Sequence, residues 1–301
     1  MDETDAAIRA SLDLDELREA MAVALADFSA GRSEQPVRTV VPAANGNGFL
    51  YVMPARTPTA LGAKLVTLYP ANVGVPTHHA IVLLFDPTTG VPIATLAGNA
   101  ITELRTAAVS ALAAERLARP GASVLAILGS GVQAASHLDA LRRVRALRDV
   151  RVWSPRRASA FAATRPDVRA VSSAEAAVDG ADIVVTATTS RTPVLDGAWL
   201  SPGAFVAAVG APRPDWRELD DRLLGSARLV VDSRAAAAAE SGDVRRALEL
   251  GQRIGAELGE VIAGTLGGRT SPDDVIVFKS LGMAVEDVAA AALVLGRSAQ
   301  G

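Results

Sequence analysis

The sequence predicts an α/β protein in which a Rossmann-type, doubly wound parallel sheet is joined to an α+β domain. Two segments of the chain with different residue patterns lead to this prediction. Between residues 37 and 96, short β-rich runs are separated by clusters of Pro, Gly and Asn, as in an antiparallel meander. From residue 124 onward, short apolar strands alternate with helical stretches, which is typical of a parallel sheet.

Two helices are predicted on either side of this β-rich segment. Apolar residues recur at helical spacing over 14–28, after the possible caps Ser11 and Asp13, and again over the Ala-rich segment 102–117. The tripeptide Arg-Pro-Gly at 119–121 is typical of an exit from a domain. Strands are predicted over 38–41, 49–53, 63–69, 80–85 and 92–96.

The segment from residue 124 onward is predicted to form the parallel sheet and a C-terminal helix. An apolar, Ala-rich helix is predicted over 283–295, and we expect it to pack back on the first domain. The two domains are therefore expected to comprise residues 1–118 with 283–301, and residues 119–282. Strands of the second domain are predicted over 124–128, 150–153, 183–187, 205–209, 229–231 and 275–278.

Composition narrows the possible functions. The chain has 301 residues and no Cys, which excludes zinc–thiolate sites, iron–sulfur clusters and a Cys nucleophile. A formal charge of −3 argues against a general nucleic-acid binder, which needs a basic face. No apolar run reaches the roughly 18 residues of a membrane-spanning helix, and the acidic start does not resemble a secretory signal. We expect a cytoplasmic protein without nucleic-acid or membrane partners.

A glycine-rich loop follows the first strand of the second domain. Gly129 and Gly131 are spaced as in Gly-x-Gly-x-x-Ala, and the small Ala134 lets the next helix pack closely on the strand. In this setting the first glycine allows a tight turn, and the second lets backbone N–H groups approach a pyrophosphate. The alternative is a glycine turn without a ligand. The residues predicted to bind a dinucleotide here are Gly129, Gly131, Val132, Gln133 and Ala134.

The end of the next strand favours NADP(H) over NAD(H). NAD-binding sheets usually carry Asp or Glu there, and its carboxylate binds the ribose 2′-hydroxyl. This chain instead has Ser154, Arg156 and Arg157, a hydroxyl and two guanidiniums that suit a 2′-phosphate. The alternative is that both arginines only begin a surface helix, although the helix dipole disfavours Arg in a first turn.

Three basic residues of the first domain, Arg38, Lys64 and Arg105, lie among apolar neighbours. Each alone is more often a solvated surface charge. Together they predict a clamp that holds a substrate carboxylate and polarises an adjacent C=N or C=O bond for hydride attack.

The histidines do not predict a metal site. His78 and His79 begin a strand, so they point to opposite faces and cannot chelate one ion together without a break in the strand. We expect one of the two to line the substrate cleft. His137, on the helix after the glycine loop, is expected to be structural, and no metal is predicted.

Several segments carry a family pattern. The shorter ones are Tyr-Val-Met-Pro at 51–54, Lys-Leu-Val-Thr at 64–67, Ile-Thr at 101–102, Arg-Thr-Ala-Ala at 105–108, the loop 129–134 and Gly-Glu at 259–260. The longer ones are Arg-Pro-Asp-Trp-Arg-Glu-Leu-Asp-Asp at 213–221, Glu-Ser-Gly-Asp-Val at 240–244 and Phe-Lys-Ser-Leu-Gly-Met-Ala-Val-Glu-Asp at 278–287. With these segments the chain resembles the ornithine cyclodeaminase and mu-crystallin family over nearly its whole length. The longer segments resemble its mu-crystallin-like ketimine reductases rather than its cyclodeaminases.

This resemblance implies a homodimer. The first domain, completed by C-terminal residues, would bind substrate and pair with the partner, and the Rossmann domain would hold the cofactor. Arg38, Lys64 and Arg105 match the family's catalytic and substrate-carboxylate positions, and His78 is placed near substrate and nicotinamide. The remaining predicted cofactor residues are Thr77, Thr106, Thr186, Thr188, Val209, Gly210, Ser280, Leu281 and Gly282.

Two departures from the family bear on activity. Its cyclodeaminases have a catalytic Asp where this chain has Pro212, which argues against cyclodeamination of ornithine. Many relatives have Asp-Gly where this chain has Ala97 and Gly98, which implies different local hydrogen bonding.

The function favoured by the sequence is NADPH-dependent reduction of a small cyclic ketimine carboxylate, such as piperideine-2-carboxylate or pyrroline-2-carboxylate, to the cyclic L-amino acid. Arg38 and Arg105 would fix the carboxylate, and Lys64 would polarise the site or relay a proton to nitrogen. An amino-acid dehydrogenase of the alanine dehydrogenase type is the alternative enzyme. An NADPH-dependent small-ligand binding protein is the alternative without catalysis.

Overall fold

The computed structural model describes residues 2–298, which divide into two compact units. The first unit comprises the described residues up to Ala108 and from Gly282 onward, and the second comprises Val109–Leu281. Residues 1 and 299–301, which belong to the predicted first domain, lie outside the described part. Within residues 2–298, none of the helices combines the length and the apolar composition that crossing a lipid bilayer requires.

The first unit is built on one mixed sheet. Its strands are β1 (Asp2–Glu3), β2 (Thr39–Pro42), β3 (Phe49–Arg56), β4 (Leu61–Leu68), β5 (His78–Phe85) and β6 (Pro92–Ala97). Its helices are α1 (Asp5–Ser11), α2 (Leu14–Ser29), the start of α3 (Gly98–Leu117), and α11 (Ala284–Ser298). The strand order is β1-β6-β5-β4-β3-β2. Strands β2 to β6 form the antiparallel meander, and β1, which the sequence did not indicate, adds a parallel edge beside β6.

The second unit is built on an eight-stranded parallel sheet, which confirms the predicted Rossmann-type class. Its strands are β7 (Val124–Leu128), β8 (Asp149–Trp153), β9 (Val168–Ala170), β10 (Ile183–Thr186), β11 (Phe205–Ala208), β12 (Arg228–Val231), β13 (Ile254–Glu257) and β14 (Ile276–Lys279). Its helices are α4 (Val132–Val144), α5 (Ala158–Ala163), α6 (Ala174–Val178), α7 (Asp221–Ser226), α8 (Arg234–Glu240), α9 (Gly242–Glu249) and α10 (Leu258–Ile262). The order is β13-β12-β14-β11-β10-β7-β8-β9, in which β9 and β13 are additional to the predicted strands.

The central strands of the second unit are short and buried on both faces. All residues of β10, β11 and β14 are buried, and they are mostly β-branched or small apolar side chains, as in other covered parallel sheets. The carboxyl ends of parallel strands share one edge of the sheet, and ligands of such folds bind outside that edge. The loops that follow β7, β10 and β11 therefore begin where a ligand is expected.

The two faces of the first sheet are both apolar, but only one is packed. Helix α11 covers β3, β4 and β5, together with α2. The residues that alternate to the opposite face remain accessible: Leu50, Ile81 and Ile93 are 36%, 41% and 47% exposed. An apolar sheet face in water is typical of a surface that binds a partner.

We predict that Gly62→Ala destabilises the first unit, because β4 leaves no room for a side chain under α11. A Cβ at Gly62 would collide first with the backbone carbonyl oxygen of Leu83 on β5, and it would lie 2.8 Å from Leu84 Cδ2 and 3.1 Å from Val288 Cγ2 of α11. The expected loss is about 1–3 kcal/mol of unfolding free energy, measured by urea denaturation. Gly296→Ala in the exposed part of α11 is the control, because its Cβ meets nothing within 4 Å, and it should raise stability by about 0.5–1 kcal/mol. Equal stability of Gly62→Ala and wild type would refute this close approach of β5 and α11 to Gly62.

Candidate active site

A cluster of buried charges lies on the covered face of the first sheet. Along β4, Gly62, Lys64 and Val66 point toward the helices, and the residues between them point away. The Lys64 side chain is consequently only 3% exposed. Arg105 reaches the same place from α3 with a side chain that is 4% exposed. Neither is the solvated surface charge that Lys and Arg usually form.

The first turn of α11 supplies the partners of both cations. Asp287 Oδ2 lies 2.5 Å from Lys64 Nζ, and Asp287 Oδ1 accepts a hydrogen bond from Arg105 Nε at 2.9 Å. Glu286 Oε2 accepts one from Arg105 Nη1 at 2.7 Å. Both carboxylates are fully buried, and they also face the positive end of the helix dipole. Asp287 thus bridges β4 and α3.

Gly282 connects a third cation to this cluster. Its carbonyl oxygen accepts a hydrogen bond from Arg38 Nη2 at 3.2 Å, and its φ of 76° favours glycine. A Cβ at this position would collide with the Arg105 guanidinium. The structure therefore brings Arg38, Lys64 and Arg105 together, and it places Gly282, predicted to bind the cofactor, against two of them.

The charges of the cluster shift the pKa values of its members. Burial lowers the pKa of Lys64 to about 8, and the positive charges of Arg105 and Arg38 add to this effect while Asp287 opposes it. Burial alone would raise the pKa of Asp287, but Arg105 and Lys64 outweigh it and hold that pKa below its ordinary value.

Three cations, Arg38, Lys64 and Arg105, face two carboxylates, so the ionised cluster carries a net charge of +1. One small anion would neutralise it.

The two neighbouring histidines have different environments. His78 is half-buried on the same sheet face as Lys64, whereas His79 is exposed on the other face. Burial, followed by the charge of Lys64, lowers the pKa of His78 to about 4, so its ring is neutral near pH 7. His137 is buried in the second unit, with its Nδ1 2.7 Å from the Gln133 carbonyl oxygen and its Nε2 2.9 Å from Ser110 Oγ. These contacts give His137 a packing role. Within residues 2–298, no group of His, Asp and Glu is arranged to hold a metal ion.

The glycine loop of the second unit has the geometry of an anion site. Gly129 has a φ of 126° and approaches the Ala187 carbonyl so closely that a Cβ would collide with it. Gly131 is the N-cap of α4, no side chain caps this helix, and a Cβ on Gly131 would meet nothing within 4 Å. The first N–H groups of α4 therefore face open space next to Gly131, which has no side chain to block a ligand. This arrangement suits a pyrophosphate.

The residues predicted to line the adenosine end lie just after β8. Ser154 Oγ is 2.9 Å from Ser130 Oγ and accepts a hydrogen bond from the Arg157 N–H at 3.1 Å. Arg156 and Arg157 are exposed, and neither guanidinium has a hydrogen-bond or ion-pair partner in the described part of the chain. Arg157 occupies the N-cap of α5 without capping it. No carboxylate stands at this strand end.

A buried carboxylate that the sequence did not single out organises the other end of the site. Glu218 accepts hydrogen bonds from Thr186 Oγ1 at 2.9 Å, from Thr188 N at 2.8 Å and from Thr188 Oγ1 at 2.6 Å. Burial raises its pKa, and the charge of Lys279 opposes that rise. A Cβ at Gly210 would collide with this carboxylate, so Gly210 is needed where β11 ends. Lys279 also lies 3.3 Å from Asp243 Oδ2.

Two polar atoms near the predicted cofactor contacts lack partners in the described residues. Ser280 Oγ, directly after β14, and Gln133 Oε1, in the first turn of α4, are buried without a hydrogen bond. Such atoms usually have a partner, and a bound dinucleotide with its carboxamide, hydroxyl and phosphate groups would supply one. The second unit therefore fits a dinucleotide at the loop after β7.

The remaining predicted cofactor residues lie in ordinary backbone or side-chain contacts. The Val209 and Gly210 N–H groups donate to the Thr186 carbonyl, and the Leu281 N–H donates to Asp232 Oδ2 at 2.6 Å. In the first unit, Thr77 is exposed in the loop before β5, and Thr106 Oγ1 donates to the Thr102 carbonyl at 2.5 Å.

Glu286, Asp287 and Glu218 are the functional candidates that sequence reasoning missed. The signal for the first two was present, because two adjacent acids interrupt an otherwise apolar, Ala-rich helix. A second signal is the scarcity of lysine: of 30 basic residues only Lys64 and Lys279 are lysines, and both are buried beside carboxylates.

Comparison with known proteins identifies the family. The family model described as "Ornithine cyclodeaminase/mu-crystallin family" matches residues 1–301. The chain belongs to this family. It is 53% identical over 281 residues to the ketimine reductase mu-crystallin of Mus musculus, an alignment that covers 90% of this chain and 88% of the relative.

Two solved structures show the same fold over the whole chain. The Δ1-pyrroline-2-carboxylate reductase of Thermococcus litoralis, in complex with NADH and L-proline, matches with a TM-score of 0.95 and 34% identity, covering 100% of this chain and 98% of the other. An archaeal alanine dehydrogenase dimer with bound NAD matches with a TM-score of 0.94 and 33% identity, covering 100% and 96%. The predicted family and the predicted class of enzyme, an oxidoreductase acting on C=N bonds, are confirmed.

We predict that Asp287→Asn lowers the pKa of Lys64 by about one unit or more, because the substitution removes the negative charge that is paired with the ammonium. The charged form of Lys64 should attract a small carboxylate, so anion binding should weaken as pH rises through this pKa. Furan-2-carboxylate has no other titrating group between pH 5 and 10, and its dissociation constant can be measured by calorimetry. Wild type should lose affinity above about pH 8, and Asp287→Asn at lower pH.

Asp273→Asn is the control, since this carboxylate is exposed and lies in the second unit. It should bind the anion with the pH dependence of wild type. The same pH dependence in Asp287→Asn would show that Asp287 does not stabilise the charge on Lys64.

Proposed function

We propose that this protein is a ketimine reductase that uses a nicotinamide dinucleotide, with NADPH preferred, to reduce a small cyclic imine carboxylate such as piperideine-2-carboxylate or pyrroline-2-carboxylate. The product is the cyclic L-amino acid. The observation that carries this proposal is the cluster of Arg38, Lys64 and Arg105 with Glu286 and Asp287, whose net charge of +1 matches one carboxylate. Relatives that are named ketimine reductase and pyrroline-2-carboxylate reductase support it.

The cluster determines what the substrate must carry. Arg38 and Arg105 present planar guanidiniums, which bind a carboxylate with two parallel hydrogen bonds. The ammonium of Lys64 adds a compact positive charge, and Asp287 is its hydrogen-bond partner. With the carboxylate held, the adjacent C=N carbon has a fixed position and orientation, which supplies a large part of the rate. The surrounding low dielectric strengthens the attraction between the cations and the substrate.

The second unit is proposed to bind the cofactor. The N–H groups at the start of α4 would hold its pyrophosphate, and Ser280 Oγ and Gln133 Oε1 would gain hydrogen bonds that they lack. The bound nicotinamide supplies the hydride. Glu218 holds Thr186 and Thr188 and so fixes the backbone at the end of β10, where the second half of a bound dinucleotide would lie.

The preference for NADPH rests on the edge after β8. Arg156 and Arg157 are exposed guanidiniums near the Ser154 hydroxyl that have no partner among residues 2–298, and a 2′-phosphate would pair with them. Cyclodeamination is disfavoured for a different reason: Pro212 follows the buried Ala211 after β11 and offers no acid or base.

The decisive measurement is NADPH oxidation at 340 nm with each imine, with NADH and with pyruvate plus ammonia as comparisons. We expect turnover of both imines and a preference for NADPH of about tenfold or more, reduced in Arg156→Ala and Arg157→Ala. Lys64→Met should lower kcat by about 100-fold or more, with NADPH affinity unchanged.

Arg253→Ala, an exposed arginine elsewhere in the second unit, is the control for charge and should retain the cofactor preference. Amination of pyruvate without imine reduction would instead identify an amino-acid dehydrogenase. NADPH binding without either reaction would indicate a binding protein.

We also propose that the chain forms a homodimer through the open face of the first sheet. Val52, Leu65 and Ile81 are aligned across β3, β4 and β5 on that face, and Leu50 and Ile93 extend the apolar surface. The archaeal alanine dehydrogenase, which matches over the whole chain, is described as a dimer.

Ile81→Arg should convert this dimer to a monomer, because it places a charge in the middle of the apolar face. Light scattering after size-exclusion chromatography measures the mass. Val23→Arg, on an exposed position of α2, should leave the mass unchanged. A dimeric Ile81→Arg protein would rule out this face as the interface.

A further inference from the structure

Three polar side chains of the first unit are linked by hydrogen bonds next to the charged cluster, and none of them belongs to that cluster. His78 begins β5, Asn99 lies in the first turn of α3, and Asp5 begins α1. Asn99 Oδ1 lies 3.3 Å from His78 Nδ1 and accepts the Ala80 N–H at 3.0 Å. Asn99 Nδ2 donates to Asp5 Oδ2 at 3.2 Å, and Asp5 Oδ1 accepts the Ala100 N–H at 2.8 Å. The N-terminal helix is thereby connected to the histidine.

The contacts of Asn99 leave its amide only one orientation. The Ala80 N–H can only donate, so it must meet the amide oxygen, and the Asp5 carboxylate accepts, so it must meet the amide NH2. Reversing the amide would oppose donor to donor at Ala80 and acceptor to acceptor at Asp5. The oxygen of Asn99 therefore faces His78. Because this oxygen is an acceptor, Nδ1 of the histidine must carry a proton and donate it.

A proton on Nδ1 leaves Nε2 of the neutral ring with a bare lone pair. The charged groups that face the ring are Lys64 on β4, Arg105 on α3 and Asp287 on α11. Burial, together with the two cations, keeps the imidazole uncharged near pH 7. The neutral ring of His78, near the cations Lys64 and Arg105, thus offers an acceptor at Nε2.

We propose that Asn99 and Asp5 are positioning residues that hold His78 as the Nδ1–H tautomer, so that Nε2 accepts the ring N–H of a protonated imine whose carboxylate is bound by Arg38, Lys64 and Arg105. This inference rests on the proposed function and specifies the substrate as the protonated imine. Hydride adds to the carbon, the π electrons of the C=N bond become the lone pair on nitrogen, and the nitrogen keeps the proton with which it entered. No further proton is required in this step.

The acceptor at His78 Nε2 would let the site select a protonated imine over an oxo acid. An oxo acid or a ring oxygen presents a lone pair where the imine presents N–H, and two facing lone pairs repel each other in a buried site. A site built to accept a hydrogen bond rejects an analogue that lacks the donor more strongly than a merely apolar pocket does. The pocket would therefore distinguish C=N–H from C=O at one atom.

Two planar ligands of nearly equal shape test this selection. Pyrrole-2-carboxylate carries N–H next to the carboxylate, and furan-2-carboxylate carries an oxygen there. We expect wild type to bind the pyrrole about tenfold more tightly in calorimetry at pH 7. Asn99→Asp should reduce or reverse this preference, because an added carboxylate favours the imidazolium, whose Nε2 donates. Asp5→Asn, which keeps an acceptor for the Ala100 N–H, should reduce it less.

Asn45→Asp is the matched control, because Asn45 is exposed in the β2–β3 turn and its oxygen accepts the local Asn47 N–H. It should keep the preference of wild type. Equal affinities for pyrrole and furan in wild type, together with imine turnover, would overturn the inference and leave the proposed function standing. Failure to bind either carboxylate would overturn both.

Nitrogen-15 NMR of the imidazoles gives a readout that does not depend on turnover, and its main arm is measured on the wild-type protein. The chain has only three histidines, so the three rings can be distinguished, with His78→Gln as the assignment variant. In wild type at pH 7 the His78 signals should show a protonated Nδ1 and an unprotonated Nε2. In Asn99→Asp at pH 6 both nitrogens should be protonated. An Nε2–H tautomer in wild type would overturn the inference.

Discussion

The burial of Lys64 and Arg105 is the constraint on which the first unit depends. Each cation loses several kcal/mol of hydration in the core, and only close carboxylates offset that loss. These carboxylates, Asp287 and Glu286, are about 180 residues away in sequence, beyond the whole second unit. The chain must therefore return to the first unit after completing the second. The discontinuous architecture is a direct consequence of where the partners of two buried charges are encoded.

The two units meet similar electrostatic problems in different ways. In the first, the charges do not cancel, and the surplus positive charge at Arg38, Lys64 and Arg105 suits an anionic substrate. In the second, Glu218 accepts hydrogen bonds from both threonine hydroxyls, of Thr186 and Thr188, and from the Thr188 N–H, so it shapes the strand end without offering its oxygens to a ligand. Recognition there is left to backbone N–H groups and glycines. A charged pocket favours a small, strongly charged ligand, whereas a backbone cradle favours a long ligand that crosses the sheet edge.

Local sequence patterns predicted the local parts of this structure well. The antiparallel meander follows from period-two runs between turn residues, and the glycine loop follows from backbone demands that only Gly satisfies. The two-residue strand β1 was missed because two residues carry no periodicity. The carboxylates opposite Lys64 and Arg105, and the link from Asp5 to Asn99, were missed because they join residues 94 to 182 positions apart. No spacing rule relates such residues, and burial decides which of several acids lies opposite a given cation.

The two buried lysines have a property that arginine lacks, which is a pKa that can respond to its surroundings. Nearly all basic residues of this chain are arginines, yet Lys64 and Lys279 occupy its most deeply buried cationic positions. A guanidinium needs five donors satisfied in one plane and stays charged at any physiological pH, whereas an ammonium is compact and its pKa responds to its surroundings. At Lys64 the burial that lowers the pKa to about 8 makes the charge of the cluster sensitive to one neighbouring carboxylate. Asp287 therefore fixes the position of Lys64 and also sets the pH range in which the cluster can hold an anion.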